Sequence, residues 1–128
     1  MFQFLQPVMD PPVLLTTEQV LSKMKDSTVV LLNVLSGEAF DKLHIRDSRS
    51  LTLGANIRSF GIQARKIYPL TTRFITYGVD GENSLSLNAA KILVGQGFKA
   101  DNYPGGLKDW VKAALPTEGS DRNMPPFR

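Results

Sequence analysis

The sequence predicts an α/β fold: a central, mostly parallel sheet of four or five strands with helices on both faces. Three observations carry this. The runs TVVLLNV at 28–34 and RFITY at 73–77 are apolar without polar alternation, as strands covered on both faces are. Each is followed by a stretch of helical periodicity, and glycine or proline stops the helical stretches near Gly97 and Pro116. Strands alternating with helices give parallel pairing through right-handed crossovers.

The elements follow in order. Thr16 and Thr17 with Glu18, Gln19 and the apolar Val20, Leu21 and Met24 make a capped amphipathic helix, with Gln19 as the capping-box partner. The first strand occupies 28–34. Ser36 then caps a short helix through Glu38, Phe40 and Leu43, which delivers His44 to a loop. A second strand is expected at 50–53, then a helix at 57–67 that Pro69 closes. The third strand is 73–77, the next helix 84–94 with Gly95 and Gly97 as stops, and the last strand 100–103. The turn Pro104, Gly105, Gly106 leads into a final helix at 107–114. Residues 1–13 form an N-terminal arm, 14–118 the folded domain and 119–128 a tail, because Pro11, Pro12, Pro125 and Pro126 sustain neither helix nor central strand.

Composition narrows the chemistry. The 128 residues contain no cysteine, which excludes disulfides, zinc-thiolate sites, iron-sulfur clusters and thiol nucleophiles. A single histidine, His44, leaves little for acid-base or metal work. The net charge of +3 is too small and scattered to point to nucleic acid. The opening MFQFLQPVMDPP has no basic leader and its apolar run breaks at Pro7, so neither a membrane span nor a signal is expected and the default location is cytoplasmic.

In parallel α/β sheets ligands sit beyond the carboxyl ends of the strands. That places the candidate site on the turn after RFITY: Gly78, Val79, Asp80, Gly81, Glu82, Asn83 and Ser84, joining a buried strand to a helix N-terminus. Successive N–H groups in such a turn can form a nest for an anion or a thiolate. Asp80 and Glu82 oppose an anion there, and no lysine or arginine in the turn offsets them.

This chain resembles the rhodanese-homology domain family, whose active loop reads CxxGxRS at the same junction. Gly81 and Ser84 match in register, which puts the family's catalytic cysteine at Gly78 and its arginine at Asn83. LLNVLSGEAFDKLHI, the pair Ala89 and Ala90 with Leu93, Gly97 and Phe98, the segment YPGGLKDW at 103–110, and Leu115 with Pro116 are similar to the family in the same order, over about 14–117. The departures bear on function. The family's aspartate-valine-arginine is here Asn33, Val34, Leu35, and its proline-glycine-alanine after the histidine is Arg46, Asp47, Ser48.

The resemblance implies persulfide chemistry on a cysteine thiolate, and Gly78 has no side chain to carry it. The expected function is that of a catalytically inactive domain that binds, with a protein as partner and with no cofactor or metal. The alternative is an enzyme that keeps the loop as an anion site and hydrolyses through Ser84, Asp80 or a metal-bound water. A small anion or polar ligand in the loop is weighed against a solvated acidic turn, and Gly78 reads both as a lost nucleophile and, compatibly, as a glycine tolerated where the turn needs a positive φ. A Ser84 or Ser86, His44, Asp47 triad lacks a GxSxG elbow and is set aside. Tyr103, Gly105, Gly106 and Trp110 read as a tight turn beneath a packed indole. Arg46, Arg49, Arg58, Arg65, Lys66 and Arg73, with Asp47 the only acid among residues 45–79, form either solvated surface or a second candidate contact surface for an acidic protein or other polyanion. The segment NMPPFR at 123–128 is either a recognition motif or a frayed end.

Overall fold

The computed structural model describes residues 10–120. Most of the expected arm at 1–13 and the segment NMPPFR therefore lie outside the described residues. Contacts begin at Val13, whose N–H donates to Asp101 and whose carbonyl accepts from Asn102, and they continue to Ser120, whose N–H donates to the Asp41 carbonyl.

Helix α1, Thr17–Lys23, starts where Thr16 and Gln19 form the reciprocal capping box, an N-terminal device worth about 1 kcal/mol. Strand β1, Val29–Asn33, leads to α2, Gly37–Lys42, capped by the Ser36 side chain on the Ala39 N–H. The chain then forms β2, His44–Ile45, and β3, Arg49–Ser50. Helix α3, Ile57–Ile67, has the expected bounds, as does β4, Arg73–Tyr77. Helix α4, Leu85–Gly95, β5, Lys99–Asn102, α5, Gly106–Lys112, and β6, Thr117–Glu118, complete the described chain.

The sheet order is β3-β1-β4-β5, with every pairing parallel. Alternation along β1 and β4 sends side chains to opposite faces. Leu32 and Phe74 join Phe60 and Ala64 of α3 and Leu93 of α4 on one face; Leu31 and Ile75 join Val20 of α1 and Leu107 and Trp110 of α5 on the other. Both faces are thus covered, and the carboxyl ends of the strands open onto one rim.

Three expectations are corrected. His44 is not in a loop: it pairs with Glu118 in a separate antiparallel ribbon of β2 and β6. The second strand, expected at 50–53, is confined to Arg49–Ser50, although Leu51 and Leu53 continue alongside β1 through bonds to the Asn33 and Val34 carbonyls. Gly95 lies inside α4, and the stop is Gly97 at φ 102, where the Gly97 and Phe98 N–H groups bond back to Val94 and Leu93.

Candidate functional site

The turn at 78–84 stands at the rim, directly after the central strand β4. Gly78 is buried, Asp80 half-buried, and Val79 and residues 81–84 are exposed. Gly78 is not among the glycines with positive φ, and a Cβ built there meets only Leu35 Cδ2, at 3.6 Å. The reading of Gly78 as a glycine demanded by a left-handed turn is therefore corrected, since its backbone accepts any L-residue and there is room for a small side chain.

The opening of the turn is held by α5. The Leu107 and Lys108 N–H groups donate to the Gly78 and Val79 carbonyls, each at 2.9 Å. The approach requires a glycine at position 106: φ is 61, and a Cβ there would lie 2.6 Å from the Gly78 oxygen and 2.8 Å from that of Val79. Gly81 is close to the turn before α5, though less so: a Cβ there would stand 3.1 Å from the Pro104 oxygen. The distinctive YPGG segment is thus the floor of the candidate loop. Its aromatic residues pack as expected, with Tyr103 edge-on to Trp110 at 6.3 Å and the indole N–H donating to the Pro116 carbonyl at 2.8 Å.

Two side chains of the loop accept from nearby amides. Asp80 Oδ1 accepts from the Glu82 N–H at 3.0 Å, and Asn83 Oδ1 accepts from the Leu85 N–H at 3.0 Å. Both are Asx turns, in which a side chain imitates a backbone acceptor two residues ahead. Ser84 occupies the N-cap of α4 without a capping bond from its side chain; its hydroxyl accepts from Asn88 instead. The carboxylate and amide thus hold one N–H group within the turn and one just after it.

Beneath the turn lies a buried polar hub that sequence reasoning missed. The Tyr77 hydroxyl contacts Asn33 Nδ2 at 3.0 Å, the Ile45 N–H at 3.0 Å and Ser48 Oγ at 2.8 Å. Two of these partners can only donate, so the phenol gives its proton to Ser48, which passes its own to the Ile45 carbonyl at 2.6 Å. Asn33 Oδ1 accepts from the Leu35 N–H, so no member is left idle. Burial pushes the Tyr77 phenol above its ordinary pKa, partly opposed by the bonds it accepts from Asn33 and Ile45. The signal available in the sequence was the departures themselves, Asn33 and Ser48, at positions flanking the rim.

The remaining candidates are not brought together. His44 Nδ1 lies 2.7 Å from the Phe40 carbonyl, which can only accept, so the proton is on Nδ1; the ring stacks on Phe40 and its Nε2 faces Glu118 at 3.6 Å. Ser86 is buried and accepts from Asn102 Nδ2 at 2.8 Å. No triad forms. The basic stretch is divided: Arg46 approaches Glu118, Arg49 lies in β3, and Arg73 lines a groove of about 530 Å3 with Lys23, Asp26 and Lys99 near the amino ends of the strands, lined by none of residues 78–84. Among the described residues no three histidine, aspartate or glutamate side chains cluster as a metal site, and no helix is long and apolar enough to cross a membrane.

Comparison with known proteins agrees with this architecture. The family model described as rhodanese-like domain matches residues 16–113. No curated protein matches the chain. Among solved structures, the rhodanese-like domain of the Alr3790 protein from Anabaena superposes with a TM-score of 0.73 at 20% identity, covering 94% of this chain and 87% of that one. The BH2092 protein from Bacillus halodurans gives 0.72 at 19% identity over 85% and 78%. A full-length protein from Lactobacillus plantarum gives 0.69 at 21% identity over 84% and 88%.

Proposed function

The chain belongs to the rhodanese-like domain family, and we propose that it works there without covalent catalysis, as a cytoplasmic binding module for a protein partner formed by residues 14–118. The carrying observation is Gly78 at the nucleophile position of a sequence that contains no cysteine. Sulfur transfer through a persulfide needs a thiolate to attack the donor and a sulfur to hold the product, and glycine supplies neither.

The state of the loop supports the same reading. Asp80 and Asn83 hold the Glu82 and Leu85 amides, and Asp80 and Glu82 bring negative charge to where thiosulfate or phosphate would approach. What the rim retains is shape: Val79 and residues 81–84 are exposed on a base fastened to α5. A hydrolase using Ser84 is not favoured by any contact, since its hydroxyl partner is Asn88 rather than a base.

The test is sulfur transfer from thiosulfate to cyanide or a thiol. The wild-type chain is expected to match a variant with residues 78–84 scrambled. Turnover well above that background would overturn the reading. Affinity capture with wild type and an Asp80→Ala, Glu82→Ala variant then tests whether the partner contacts the loop.

A further inference from the structure

Helix α3 carries no acidic residue along IRSFGIQARKI. Phe60, Gly61 and Ala64 turn inward against the sheet, while Arg58, Ile62 and Lys66, spaced by four, form an exposed outward stripe bordered by the exposed Arg65. The stripe runs about 12 Å along the helix. Among the described residues none of the three cations is in an ion pair. Arg65 and Lys66 suit the helix C-terminus, but Arg58 stands in the first turn, where the macrodipole disfavours a cation. Its charge therefore works against the helix that carries it. Ile62, between the cations, is 45% exposed.

We propose that this outer face of α3 is a docking surface for an acidic protein segment that sets an apolar side chain on Ile62 between carboxylates meeting Arg58, Arg65 and Lys66. The inference rests on the binding-module reading and gives the partner its chemistry. Charge complementarity selects an anion, and the isoleucine selects among anions. Three cations can neutralise few phosphates, and the stripe has no aromatic ring on which a base could stack. A membrane-surface helix would turn its wide apolar face outward, whereas α3 packs Phe60 and Ala64 onto the sheet.

The test uses the full chain and a labelled glutamate-rich helical peptide with leucines at helical spacing, followed by anisotropy. Binding is expected to weaken steeply with salt as the Debye length contracts from about 10 Å at 0.1 M to about 3 Å at 1 M. Arg58→Glu with Lys66→Glu should reduce affinity about tenfold or more, by turning attractions into repulsions at an exposed surface. Ile62→Ser should reduce it by about threefold to tenfold. A glutamate-only peptide should bind wild type no better than the leucine peptide binds Ile62→Ser. Circular dichroism of both variants should match wild type and their denaturation midpoints should stay close to it, because the altered side chains are exposed and the gain from Arg58→Glu at the helix N-terminus offsets the loss from Lys66→Glu at its C-terminus. No binding of the leucine peptide, unchanged affinity in either variant, equal binding of the glutamate-only peptide, or tighter binding to a DNA oligonucleotide or to phosphatidylserine vesicles would each overturn the proposal. Thiosulfate turnover would remove the binding-module reading alone, whereas unchanged peptide affinity in an inactive chain would remove only the α3 surface.

Discussion

The Gly78 carbonyl oxygen accepts the Leu107 N–H at 2.9 Å, so the residue that the resemblance sets at the family's nucleophile position is also one on which the last helix docks. Backbone rather than side chain performs this task. The docking of α5 on the rim therefore does not depend on the side chain at position 78.

Two glycines separated by this contact should respond in opposite ways to alanine. Gly78→Ala meets only Leu35 at ordinary contact distance and should leave stability within about 1 kcal/mol of wild type. Gly106→Ala must relieve both a positive φ and a 2.6 Å approach to the Gly78 oxygen, and should destabilise by about 2 to 4 kcal/mol. Urea denaturation of the two variants checks both values.

Removing the Tyr77 hydroxyl orphans buried donors on Asn33 and Ile45 and takes the proton from Ser48. Tyr77→Phe should therefore destabilise by about 2 to 4 kcal/mol although it deletes one atom. A loss below about 0.5 kcal/mol would contradict the account of orphaned buried donors. Chemical denaturation at neutral pH measures it.

The same phenol predicts the alkaline limb of stability. Its folded pKa is raised by burial above the ordinary 10.0, so the unfolded chain releases the proton first. The stabilisation is fully present below pH 10.0 and is lost as pH rises through the raised folded value. Tyr68 and Tyr103, also raised chiefly by burial, add to the decline. Denaturation midpoints against pH should fall less steeply in Tyr77→Phe than in wild type; equal slopes would contradict the assignment.

Gly78→Cys has room for its Cβ, yet it should not restore sulfur transfer by itself. Asp80 and Glu82 would oppose both the thiolate and the donor. Alkylation by iodoacetamide across pH should report a thiol pKa above the ordinary cysteine value, and adding Asp80→Ala with Glu82→Ala should lower it. Brisk thiosulfate turnover by Gly78→Cys alone would show that the loop charges do not matter.

What was legible in the sequence was whatever local chemistry decides. The apolar run RFITY, the bounds of α3 and the Thr16 and Gln19 capping box were readable because propensity, pattern and burial agree there. The β2 and β6 ribbon was not, because two-residue strands 72 positions apart leave no periodicity, and only the folded chain brings His44 opposite Glu118. The Tyr77 hub was hidden for the same reason: a tyrosine ending an apolar strand does not reveal that Asn33, Ile45 and Ser48 converge on its hydroxyl. Asp80 and Asn83 were legible as charge and polarity but not as acceptors for Glu82 and Leu85, though Asx turns at a strand-to-helix junction were available as a signal.

The binding-module reading requires that the turn, where Asp80 and Asn83 hold the Glu82 and Leu85 amides, takes no small anion. Amide resonances of Glu82 and Leu85, followed by NMR during titration with thiosulfate and with phosphate, test it most directly. The account predicts that neither resonance moves beyond the general salt response of the chain. Saturable shifts of both, centred on residues 78–84, would show an open anion site and contradict it.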